Sequence, residues 1–134
     1  MFMIWRLVLL KMVTMKPKET NYAKGVQAEK TARGYLEKRG YKLIQARYKT
    51  KYGEVDLLMS KDRILCFIEV KARAQELDAL EAVTARSRKR IENAALFFLA
   101  EHPEYNNFDM RFDVVTVTGD SSVQHLDNAW EVVS

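Results

Sequence analysis

Two β-rich runs, "EVDLLMS" (54–60) and "RILCFIEVKA" (63–72), are separated only by the polar link "KD". A link this short leaves room for little but an antiparallel hairpin. The second run is apolar until it carries Glu69, Lys71 and Arg73. Side chains alternate along a strand, so Leu65, Phe67, Glu69 and Lys71 share one face. Glu54, Asp56 and Leu58 likewise share one face of the run before it. A turn at Lys61 and Asp62 pairs Ser60 with Arg63 and Asp56 with Phe67. Glu69 then becomes a diagonal neighbour of Asp56.

The rest of the chain supplies helices and further strands. Between Tyr22 and Arg39, Ala28, Ala32, Tyr35 and Leu36 fall at helical spacing, and Gly40 follows as a stop. "YKLIQARY" (41–48) reads as a strand that sets Tyr41 and Leu43 opposite Ile44 and Ala46. "ELDALEAVT" reads as a connection or short helix. A longer helix fits 85–101, where Ile91, Ala94, Ala95, Phe98 and Leu99 hold one register before Pro103. "MRFDVVTVT" (110–118) is a β-branched strand, and "SVQHL" reads as another. This order implies an α/β fold with a mixed central β-sheet flanked by helices.

At 134 residues the chain fits one domain with a real core. A single cysteine, Cys66, lies in the apolar run, where it excludes an intrachain disulfide and fits a reducing cytoplasm. Lys and Arg exceed Asp and Glu by 22 to 18, a net charge of +4 that permits an anionic partner. The opening "MFMIWRLVLLKMVTM" is apolar, but Arg6 and Lys11 interrupt it and it is too short to span a bilayer. Residues 1–20 read either as a leader upstream of a later start at Met12 or Met15, or as a short amphipathic helix or edge strand. Residues 21–134 read as the domain, with no membrane partner.

Chemistry concentrates on the hairpin. Two carboxylates meeting at a sheet edge repel one another and raise one pKa. A hard divalent cation relieves that conflict, with carboxylate oxygens as ligands. It can also polarise a phosphate and activate water, while a neighbouring lysine offsets transition-state charge. Asp56, Glu69 and Lys71 are therefore the candidate catalytic set, and the plainer reading is a solvated Glu–Lys pair. Glu29 falls in the helix stripe that faces the sheet, where it needs a metal ion or, on the plainer reading, an Arg or Lys. The run "TARSRKR" carries Arg86, Arg88 and Lys89, which with Arg73 could grip a phosphate backbone, or else form a solvated helix face. His102 and His125 lack zinc spacing, and Asp113 beside Arg111 reads as a structural ion pair.

In order, "GVQAEKTARGYLEKRGY", "GEVDLLM", "FIEVKAR", "AVTARSRKR" and "RFDVVTV" resemble the blocks of the YraN-type uncharacterised bacterial proteins, over about residues 22–118. That family is regarded as restriction-endonuclease-like and related to archaeal Holliday-junction resolvases. The resemblance implies a PD-(D/E)xK-type site on Asp56, Glu69 and Lys71, with Glu29 as the helix carboxylate that assists metal binding. Val55 stands where the named motif has proline, and Ser87 stands where relatives often place a basic residue. The expectation is a Mg²⁺- or Mn²⁺-dependent endonuclease acting on DNA, including branched or structured DNA. The alternative is a non-catalytic nucleic-acid-binding protein on the same fold. Resolvase likeness also implies a homodimer.

Overall fold

A computed structural model describes residues 20–73 and 81–132. The elements run α1 (Asn21–Glu37), β1 (Lys42–Lys49), β2 (Glu54–Lys61), β3 (Ile64–Arg73), α2 (Ala85–Glu101), a 3-10 turn (Pro103–Tyr105), β4 (Asp109–Thr118) and β5 (Val123–Trp130). The expected leader over 1–20 lies outside the described residues except for Thr20, which caps α1 by accepting from the Ala23 amide at 3.1 Å. The connection expected over 76–84 lies mostly outside them as well. Both long helices, the hairpin strands and the 110–118 strand fall where periodicity puts them, and β5 runs on to Trp130.

One five-stranded sheet holds the order β1-β2-β3-β4-β5. β3 and β4 pair in parallel, and every other neighbour pair is antiparallel. A parallel pair needs a crossover, and α2 lies in the one between β3 and β4. Alternation along the strands then feeds two cores. Leu58, Leu65, Phe67, Phe112 and Val114 pack with Ile91, Ala94, Ala95 and Phe98 of α2. Leu57, Met59, Cys66, Ile68, Val70, Val115 and Val117 pack with Ala28, Ala32 and Leu36 of α1. The result is a mixed α/β sandwich with a helix on each face. Fully buried Phe67 and Phe98 meet edge to face at 6.2 Å, and each burial stabilises by roughly 2 kcal/mol.

The hairpin register differs from the sequence expectation by two residues on β3, because the turn sits one residue later. Lys61 pairs with Ile64, Ser60 with Leu65 and Leu57 with Ile68. The turn is therefore Asp62–Arg63 rather than Lys61–Asp62, with φ of 50° and 61° at the two residues. Positive φ at both central positions is the type I′ geometry that matches strand twist. Continuing the register by one pair sets Asp56 opposite Glu69.

At its other end the hairpin opens. Cross-strand pairing of β2 with β3 stops at Leu57–Ile68, yet β2 stays with β1 as far as Glu54 and β3 stays with β4 as far as Arg73. The sheet forks there. At the β1–β2 turn, a side chain on Gly53 would run into the backbone carbonyl of Arg90, so glycine lets this turn lie directly on α2. No helix among the described residues is long and apolar enough to cross a membrane.

Candidate functional site

Asp56 occupies the crotch of the fork. Its Oδ2 accepts the Val70 amide at 2.8 Å, so the side chain satisfies a donor that the parted β2 backbone no longer meets. Burial first, and then the charge of Glu69, push the Asp56 carboxyl up to about 7, and Glu29 adds to the rise. The Val70 amide and Lys71 oppose that shift without cancelling it. Glu69 is also raised by burial, and Glu54 adds to the rise while Lys71 opposes it. The Lys71 Nζ sits 3.1 Å from Glu69 Oε1. Asp56, Glu69 and Lys71 therefore come together as the strand alternation requires.

Glu29 lies near this group but is held elsewhere. Its Oε2 accepts from the Nε of Arg47 at 2.8 Å, and an Arg47 terminal nitrogen donates to the Tyr22 hydroxyl at 3.0 Å. Of the two partners open to Glu29, the structure supplies the arginine. Among the described residues, no three His, Cys, Asp or Glu side chains gather into a set able to hold an ion. Asp56 and Glu69 alone offer the hard, mutually repelling oxygens that suit a divalent cation, with the remainder of its shell left to other oxygens. A cleft of about 200 Å³ runs from Asp56 past Glu54, Lys49 and Arg47 to Tyr22 and Gly25 at the start of α1.

The basic residues divide. Arg73 ends β3 and donates to the carbonyl of Ala82 at 3.5 Å, tying the approach to α2 to the forked end of the sheet. Arg86 and Lys89 are exposed in the first turns of α2. Arg88 is half-buried with its guanidinium carbon 5.6 Å from the Trp130 ring centre, so packing engages it in place of open solvent. Ser87 contributes to the helix cap: Thr84 Oγ1 accepts its amide at 3.1 Å.

Other titratable groups are structural. Cys66 is buried, and burial pushes its thiol up to about 12, which leaves it protonated and inert. Asp113 is fully buried and takes both ends of the Arg111 guanidinium at 2.8 Å. His125 Nε2 lies 2.8 Å from the same carboxylate and the Asn128 amide donates to it at 3.0 Å. His102 Nδ1 lies 2.8 Å from the Phe98 carbonyl oxygen, and its ring stacks on Phe98 at 4.0 Å.

Sequence reasoning did not find Arg47, Lys49 or Tyr22. Arg47 adopts φ 53° inside a strand, an irregularity that no turn residue announces. The one available signal was the need of Glu29 for a cationic partner.

Comparison with known proteins places these residues in a family. The model of the uncharacterised protein family UPF0102 matches residues 28–117, a span that includes Glu29, Asp56, Glu69 and Lys71. A UPF0102 protein of Rhodopseudomonas palustris strain BisB18 is 43% identical over 107 residues, covering 80% of this chain and 79% of that protein. One from Bradyrhizobium diazoefficiens is 41% identical over 102 residues, covering 76% and 77%. One from Bartonella tribocorum is 36% identical over 110 residues, covering 82% and 85%. With the family model spanning most of the chain and relatives this similar over most of their own length, the chain belongs to the uncharacterised protein family UPF0102.

Proposed function

We propose that this protein is a divalent-metal-dependent endonuclease that hydrolyses phosphodiester bonds in DNA, including branched or structured DNA, on a restriction-endonuclease-like fold. The observation that carries the reading is the meeting of Asp56, Glu69 and Lys71 at the fork. Two half-buried carboxylates there face each other with a single lysine beside them. The Val70 amide and Lys71 each engage one of them, but burial of both and the charge of Glu69 on Asp56 still make the pair costly. A bound cation removes that cost, so the pair fits a metal site better than an ordinary surface salt bridge.

Asp56 and Glu69 would hold Mg²⁺ or Mn²⁺. When bound, the cation supplies Lewis acidity toward water and phosphate. The rigid β3 strand fixes Glu69 and Lys71 two residues apart on one face, so their relative position does not depend on a loop. The Lys71 ammonium offsets negative charge on the phosphate as water oxygen bonds to phosphorus and the P–O ester bond breaks. The attacking water gives up a proton to solvent, and the departing oxygen takes a proton from solvent and leaves as an alcohol. Arg73, Arg86 and Lys89 grip flanking phosphates, which positions the strand and carries no sequence information.

The test is a cleavage panel of linear, flapped and four-way DNA with Mg²⁺ or Mn²⁺, run beside Asp56→Ala and Glu69→Ala. Metal-dependent nicking that falls at least ~100-fold in both variants is the expected result. Cleavage that survives both substitutions sinks the site. DNA binding that is indifferent to EDTA, with no nicking under any condition, favours a non-catalytic binding protein instead.

A further inference from the structure

The cleft beside Asp56 holds an arrangement that phosphodiester hydrolysis does not itself require. Tyr22 stands at its rim with its side chain 73% exposed, although aromatic rings usually bury. It is nevertheless held: Arg47 donates to its hydroxyl at 3.0 Å, and the guanidinium carbon lies 5.3 Å from the ring centre. Arg47 is in turn fixed by Glu29 at 2.8 Å. A ring both exposed and fixed loses little freedom when something flat lies against it.

The remaining lining is complementary to one part of a nucleic acid. Lys49 is exposed and cationic, suited to a phosphate. Glu54 and Asp56 supply carboxylate oxygens that accept N–H groups. At about 200 Å³ the cleft is smaller than the roughly 300 Å³ floor of pockets for drug-sized ligands, so it admits a single ring system. Gly25, in the second turn of α1, lines the same space, and a Cβ there would meet no atom within 4 Å. Sterics do not require this glycine, and it weakens the helix by about 1 kcal/mol relative to alanine. Gly34 has the same freedom without lining the cleft, so the glycine adds weight only together with its neighbours.

We infer that this cleft receives one unpaired base of a DNA strand, stacked on Tyr22, with Lys49 on the adjoining phosphate and Glu54 accepting from the base edge. A base inside a duplex offers neither a free face nor a free Watson–Crick edge, so the cleft selects single-stranded or frayed segments. The inference rests on the proposed nuclease reading only in taking a DNA strand to pass the carboxylates.

Binding in EDTA tests it without any cut being made. The full chain is titrated into a single-stranded oligonucleotide bearing one 2-aminopurine, and into the matching duplex, and quenching is followed. Tyr22→Ala should weaken single-strand binding roughly 5- to 100-fold and abolish the quenching, while duplex binding holds. Tyr22→Phe, which keeps the ring, should stay within about threefold of the parent. Gly25→Leu, which fills the cleft beneath an intact Tyr22, should lose the quenching too. Unaltered single-strand binding in Tyr22→Ala overturns the inference. So does an equal loss on duplex, or binding of free dAMP as tight as that of the oligonucleotide. A protein that never cleaves yet behaves as expected upholds this inference and sinks only the nuclease reading.

Discussion

Asp56 and Asp113 are two aspartates on the strands that flank β3, and their surroundings are opposite. Asp113 is fully buried and saturated, with Arg111, His125 and the Asn128 amide all on its carboxylate. Burial works against its charge, but those hydrogen bonds prevail and hold it below the usual carboxylate range. Asp56 has one amide and a carboxylate neighbour, and it is driven up to about 7. Burial alone therefore does not decide which way an aspartate's pKa moves. What decides it is whether the fold supplies donors, as at Asp113, or withholds them, as at Asp56.

The largest expected effect lies at the saturated site. Asp113→Ala strands Arg111 and His125 and should cost about 3–5 kcal/mol in urea unfolding at pH 7. A loss below about 1 kcal/mol would erase the contrast. Because its pKa is depressed, Asp113 stabilises the fold above the unfolded value of 3.8, and that contribution fades as pH falls further.

Asp56→Asn should act with the other sign in metal-free protein. The folded-state pKa of Asp56 is raised, so its favourable contribution is complete below about pH 4 and is lost as pH rises through about 7. The asparagine variant should match the parent below pH 4, gain on it between pH 4 and 7, and stay ahead above that. The plateau is on the order of 1–3 kcal/mol, read as melting temperature against pH. A parent that gains stability over the same pH range relative to the variant would break the comparison.

Divalent cation should reverse the ranking. At pH 8, Mg²⁺ or Mn²⁺ at a hundred times its Kd stabilises the parent by about 2.7 kcal/mol and leaves Asp56→Asn unmoved. Equal shifts in both proteins would place the ion elsewhere. Gly25→Ala gives the smallest effect, a gain of up to about 1 kcal/mol from helix propensity, measurable by the same melts. It would show that the cleft, like Asp56, is built at some expense to stability.

Most of this was legible because it follows from periodicity. The helices reveal themselves through Ala28, Ala32 and Leu36 and through Ile91, Ala94 and Phe98, and β3 through its continuous apolar run. Placing Glu69 and Lys71 on one face needs only alternation. The partner of Asp56 was misplaced because Asp62–Arg63 lacks the glycine that usually marks a type I′ turn, so the turn reads one residue early. The hold of Arg47 on Glu29 depends on a positive φ within a strand and a contact 18 residues apart, which no local pattern encodes. The Asp113 cluster joins β4 to β5 across a contact 12 residues apart, so its pairing with Arg111 was readable and its bond to His125 was not.

The Asp62–Arg63 turn has a consequence for how such chains can vary in length. It lies six residues from Asp56, about 20 Å along the strand, and it alone decides which residue of β3 stands opposite. A single-residue insertion that slid β3 against β2 would carry Glu69 to the wrong face, although the tip itself is solvent-exposed. Relatives that keep the paired acids should therefore show almost no insertions here, while the Gly119–Ser122 turn between β4 and β5 is free to lengthen. The tip of the hairpin acts as a ruler, and selection for the acids at one end would be recorded as a fixed spacing at the other.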